Sequence, residues 1–100
     1  MAGITHVVLV AWNGDREALS RRADELVDGH LPGIPGVLGI DRGTSVSTEG
    51  LEGDIDWGMV VRFETPDDAL AYLPHPEHRP VADFIGANSS RVVVFDIPAR

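Results

Sequence analysis

Besides its sixteen carboxylates, the sequence carries few side chains suited to moving protons: four histidines, His6, His30, His75 and His78, and a single tyrosine, Tyr72. An imidazole with an ordinary pKa near ~6.5 takes or gives a proton at neutral pH. A phenol near ~10 stays protonated there and donates a hydrogen bond more readily than it acts as a base. The chain has no cysteine to serve as a thiol nucleophile and no lysine to form an imine. Acid–base work by histidine, with tyrosine as donor, is one chemistry that these residue types could do at neutral pH. Each group also has a plainer reading. A lone tyrosine commonly bonds its hydroxyl to backbone, His78 can cap a helix, His75-Pro76 can set a turn, and His6 can satisfy a core hydrogen bond. His30 falls at a helix end and suits the negative pole of the dipole. His75, Glu77 and His78 have spacing that could serve a metal, but Pro76 between them and the lack of a further ligand nearby lead to an expectation of no metal.

These residues need elements to hold them. Ile4 to Trp12 is rich in β-branched residues and reads as a strand, apolar on both faces and so covered on both. Asn13-Gly14 turns the chain, and Asp15 caps a helix over residues 16 to about 30, with Leu19, Ala23, Leu26, Val27 and His30 on one face. Pro and Gly in residues 31–36 end it. A strand follows from Val37 to about Ser45, then a loop over 46–53. Asp54 to Phe63 reads as a third strand with Ile55, Trp57, Met59, Val61 and Phe63 on one face. Thr65-Pro66-Asp67-Asp68 starts a short helix. Pro74 and Pro76 stop it, a further helix begins near His78 or Pro80, and Gly86-Ala87-Asn88 breaks that one. Arg91 to Ile97 is the last strand. Tyr72 then lies near the end of one short helix and His78 near the start of the next, while His6 comes from a strand those helices cover.

The order β-α-β-β-α-α-β predicts an α+β, ferredoxin-like split βαβ fold: a four-stranded antiparallel sheet with helices on one face, in one domain over residues 1–100. No helix remains for the other sheet face, yet the first and last strands stay apolar there. A second copy packed sheet on sheet, as a dimeric α/β barrel, would cover it. A domain this small buries only roughly 60–70% of its unfolded surface, which also favours self-association. The net charge of −8 and the scattered arginines argue against nucleic acid or an anionic membrane as partner. No apolar run approaches the ~20 residues of a membrane span, and the short run at Val7 to Val10 lacks the features of a leader. A cytoplasmic location is the expectation.

Several segments together carry a family resemblance: Thr5-His6-Val7-Val8-Leu9-Val10-Ala11-Trp12, Ile34-Pro35-Gly36-Val37, Val60-Val61-Arg62-Phe63-Glu64, the block from Ala71 to His78, and Val92-Val93-Val94-Phe95-Asp96. Over nearly its whole length the chain resembles the stress-responsive dimeric α/β-barrel (Dabb) family. That resemblance implies a dimer of ferredoxin-like subunits. Members include a heat-stable plant stress protein and a plant polyketide cyclase that closes its ring by intramolecular aldol condensation without a cofactor. It implies Tyr72 and His78 as the acid–base pair and His6 as a further pocket histidine. The expected ligand is a small, mostly apolar oxygenated molecule, in a pocket lined by Val8, Val10, Trp12, Trp57, Met59, Phe63, His75 and Phe84. Trp57 stands where the cyclase has another histidine, and Pro80 follows His78 closely. A non-enzymatic stress or assembly protein is the rival expectation; a haem or quinol monooxygenase of the same fold ranks below both.

Overall fold

Residues 3–99 are described by a computed structural model. Local signals set most element boundaries. Strand β1 (Ile4–Trp12) leads into helix α1 (Arg16–His30), whose first turn is capped by Asp15 accepting from the Ala18 N–H at 3.1 Å. Gly36, at φ +89°, makes the turn into β2 (Val37–Gly43). A side chain there would be strained and would also collide with Asp68. Strand β3 (Trp57–Phe63) is followed by helix α2 (Pro66–Tyr72). Thr65 caps that helix by accepting from Asp68 N–H, and Pro66 occupies its first turn, where no backbone donor is needed. Helix α3 (Arg79–Asn88) and strand β4 (Ser89–Pro98) complete the chain.

Three boundaries depart from the sequence expectation. Strand β3 starts at Trp57 rather than Asp54, because Asp56 leaves the ladder to bind back onto β1. Its backbone N–H donates to Val10 O at 2.8 Å and its carboxylate accepts from Trp12 N–H at 2.8 Å. Strand β2 stops at Gly43. Helix α3 runs through Gly86-Ala87-Asn88 and passes directly into β4 at Ser89, with Asn88 bonding back to Phe84 O at 2.9 Å.

The four strands form one antiparallel sheet in the order β2-β3-β1-β4, and all three helices are accounted for on the ferredoxin-like plan. The register fixes the faces. Val8 lies opposite Met59 and Val94, and Val10 opposite Trp57 and Val92. Val8, Val10, Trp12, Trp57, Met59, Val61 and Phe63 are buried with Ala23 and Val27 of α1 and with Val81 and Ile85 of α3, which makes this the core face. Two indole N–H groups inside it find acceptors: Trp12 on Ser20 Oγ at 3.0 Å and Trp57 on Asp24 Oδ1 at 2.9 Å. The opposite face carries Val7, Leu9, Val60, Val93, Phe95 and Ile97. Phe95 is 59% exposed. Among the described residues no helix is long and apolar enough to cross a membrane.

Candidate active site

Tyr72 is the last residue of α2, and its ring turns inward onto the sheet until only 1% of the residue is exposed. Three rings surround it. Phe63 of β3 lies edge-on with centroids 4.9 Å apart, His6 of β1 edge-on at 5.8 Å, and His78 tilted at 4.5 Å. His6 also meets Phe63 at 6.2 Å. The elements named in the sequence reading thus bring Tyr72, His78 and His6 into one cluster on the core face, at the end of the sheet where Ile4 pairs with Phe63.

The hydroxyl of Tyr72 is buried and has no hydrogen-bond partner, the one buried side-chain polar group left so among the described residues. An unmade hydrogen bond at a buried hydroxyl costs about 1–3 kcal/mol. Burial pushes the Tyr72 phenol well above its ordinary pKa, so it remains a protonated donor.

Both neighbouring imidazoles are tethered through Nδ1. His78 Nδ1 lies 3.0 Å from the Leu73 carbonyl oxygen, and His6 Nδ1 lies 2.5 Å from Asp96 Oδ1. A carbonyl only accepts, so His78 carries a proton on Nδ1, and its neutral form leaves Nε2 unprotonated. Burial holds the His78 pKa below its usual value. The Leu73 hydrogen bond opposes that shift, and the charge of nearby His6 adds to it. His78 occupies the N-cap position of α3 without capping by its side chain; its ring folds back toward Leu73 instead. Pro80 sits in the first turn of α3, where its missing N–H is harmless, and His78 still reaches Tyr72.

The other histidines take different roles. His75 Nδ1 accepts from Glu77 N–H at 3.1 Å, which requires its proton on Nε2 and makes it part of the turn that carries the chain from α2 to α3. His30, expected to serve the helix dipole, lies in the last turn of α1 and also bonds Glu77 Oε1 at 2.8 Å, tying α1 to that turn. Among the described residues no group of three or more His, Cys, Asp or Glu side chains is placed to hold a metal ion.

Val8, Val10, Trp12, Trp57, Met59 and Phe63, expected to line a pocket, belong to the close-packed core, and Phe84 packs onto it with its ring 5.8 Å from Trp12. An open trough of about 460 Å³ lies on the other side of the sheet, where the loop of residues 44–56 borders the open face, and of the expected pocket residues Trp57 and Met59 border it. Val7, Leu9, Val60, Leu51 and Ile55 line it. Sequence reading missed Asp96, the partner of His6. The signal was present only through pairing: in an antiparallel β1–β4 ladder, position 96 falls opposite position 6.

No curated protein matches the chain. Several solved structures share its fold. A dimeric ferredoxin-like protein of unknown function from Thermobifida fusca is 20% identical with a TM-score of 0.84, covering 97% of this chain and 91% of the other. One from Jannaschia sp. CCS1, with the same description, is 21% identical with a TM-score of 0.83, covering 95% and 97%. A Dabb family protein with a ferredoxin-like fold from Mesorhizobium loti is 19% identical with a TM-score of 0.80, covering 97% and 96%. Residues 4–99 match the stress responsive A/B barrel domain over nearly the entire sequence, and the chain belongs to that family, Dabb.

Proposed function

We propose that the protein is a homodimer whose Tyr72–His78–His6 cluster performs cofactor-free acid–base carbon chemistry of the intramolecular aldol type on a small, mostly apolar oxygenated ligand. The observation that carries this reading is the buried Tyr72 hydroxyl, left without a partner beside two imidazoles held through Nδ1. A cluster kept only for packing would gain by having phenylalanine there. A donor held unmatched among packed rings is instead suited to an oxygen that arrives with the ligand.

The steps balance without a cofactor. His78 Nε2 takes the proton from a carbon between two carbonyls, and the electron pair of that C–H bond becomes the enolate. The enolate carbon forms the new C–C bond at a second carbonyl, whose π pair moves onto oxygen. That alkoxide accepts a hydrogen bond from Tyr72 and a proton from the His78 imidazolium, which returns the base to its starting form. The depressed His78 pKa keeps the imidazole neutral at neutral pH, ready for the first step. Because Tyr72 is closed off, ligand entry requires the turn between α2 and α3 to move. Leu73, at its start, is 54% exposed.

Dimerisation through the open face fits the exposed Phe95 and Ile97 of β4, and related structures are described as dimeric. The test uses a β-diketone bearing an aromatic end, in deuterated water, with proton exchange at the central carbon followed by NMR. The wild-type dimer accelerates the exchange. His78→Ala and Tyr72→Phe each reduce the enzyme-dependent rate by about 10²-fold or more. Equal rates for all three proteins, with the dimer intact, would refute the reading and favour a protein whose sheet packing is its whole role.

A further inference from the structure

His6 and Asp96 stand directly opposite one another across β1 and β4. Opposed side chains in an antiparallel pair have Cβ atoms about 4.5–5.5 Å apart, so a short carboxylate meets the nearer ring nitrogen, Nδ1. The two side chains differ in burial: that of His6 is 10% exposed, that of Asp96 52%. The carboxylate therefore sits at the solvent edge of the sheet while the ring it holds reaches inward to Phe63 and Tyr72. The positions next along this face of β4, Val94 and Val92, are apolar, so the acid falls at the register position that faces the histidine.

With its carboxylate half in solvent, the pair is not held for stability alone. What it does is chemical. The carboxylate accepts and never donates, so the proton of a neutral His6 stays on Nδ1 and Nε2 becomes an acceptor. We propose that Asp96 is a positioning residue: it locks His6 in the Nδ1–H tautomer and fixes its Nε2 as a proton acceptor on the ring packed against Tyr72. The inference deepens the acid–base reading above and rests on it for its purpose, although the lock itself can be measured without any substrate. The site then holds two imidazoles in the same tautomer, one set by a backbone carbonyl and the other by a side chain. Only the second is open to replacement by substitution.

Nitrogen NMR of the imidazoles in the full-length protein, at a pH where they are neutral, reads the tautomers directly. In the wild type, His6 shows Nδ1 protonated and Nε2 bare. Asp96→Ala loses most of that population to the Nε2–H form. Asp96→Asn loses part of it, since the amide either accepts through oxygen or turns to donate through nitrogen. His78, anchored on Leu73, keeps its Nδ1–H form throughout and serves as the internal control. A wild-type His6 protonated on Nε2, or a tautomer ratio unchanged in Asp96→Ala, overturns the proposal. Failure of the acid–base reading would look different: the lock would be present, with no exchange of the diketone.

Discussion

The two faces of one sheet are both apolar, yet they treat polar groups in opposite ways. On the helix-covered face each indole has its acceptor, each imidazole beside Tyr72 has its Nδ1 partner, and among the described residues the single exception is the Tyr72 hydroxyl. On the open face the polar content is slight, as in the Arg62–Asp41 pair at 2.8 Å, and large side chains such as Phe95 and Ile97 stand exposed. A face that matches its polar groups one by one and leaves one hydroxyl free is what the proposed acid–base reading requires. A face that leaves broad apolar surface in water is organised for association, since monomeric proteins seldom expose contiguous patches of that kind. Strand β4 belongs to both: Asp96 holds His6 on one side while Phe95 and Ile97 point to the other.

The contrast is broken most forcefully by cutting one phenylalanine from each face. Phe63→Ala removes a ring that is 2% exposed and should cost about 3–5 kcal/mol of folding stability in urea titrations. Phe95→Asp should leave the subunit folded and instead split the dimer, weakening association by about 2–4 kcal/mol in sedimentation equilibrium. If Phe95→Asp unfolds the subunit and leaves its assembly unchanged, the two faces do not divide as argued.

A smaller effect sharpens the role of the free hydroxyl. Tyr72→Phe deletes the unmatched donor and keeps the ring, so thermal unfolding should shift upward, with a gain of about 1 kcal/mol, while diketone exchange falls. A loss of stability would mean that the hydroxyl is bonded after all and that its role is structural.

The smallest effect is in pH. The His78 pKa is lower in the folded chain than its unfolded value near ~6.5, so the unfolded state binds the proton first as pH falls. This contribution is complete above about 6.5 and is lost as pH drops through the folded pKa. His78→Gln should flatten the slope of stability against pH over that acid interval, leaving the plateau above it unchanged. A slope equal to that of the wild type would place the titrating group elsewhere.

Much of the frame was legible in the chain because its cues are local. Asp15 and Thr65 cap the helices they precede, alternation put Trp57, Met59, Val61 and Phe63 on one face, and the prolines after Tyr72 ended α2. The errors fell where long-range bonds overrode local pattern. Asp56 continues the alternation of a strand, but its bonds to Val10 and Trp12 pull it out of the ladder. Asn88 reads as a breaker, yet its side chain closes the last turn of α3.

The site divided the same way. Residue type narrowed the candidates to four histidines and one tyrosine, and the family resemblance singled out Tyr72, His78 and His6 among them. Which nitrogen each imidazole keeps free, that Tyr72 has no partner, and that Asp96 belongs with His6 were decided by strand register and by the turn after α2. Proton chemistry depends on directions and distances of a few ångströms, and those arise only when residues far apart in sequence are folded against one another.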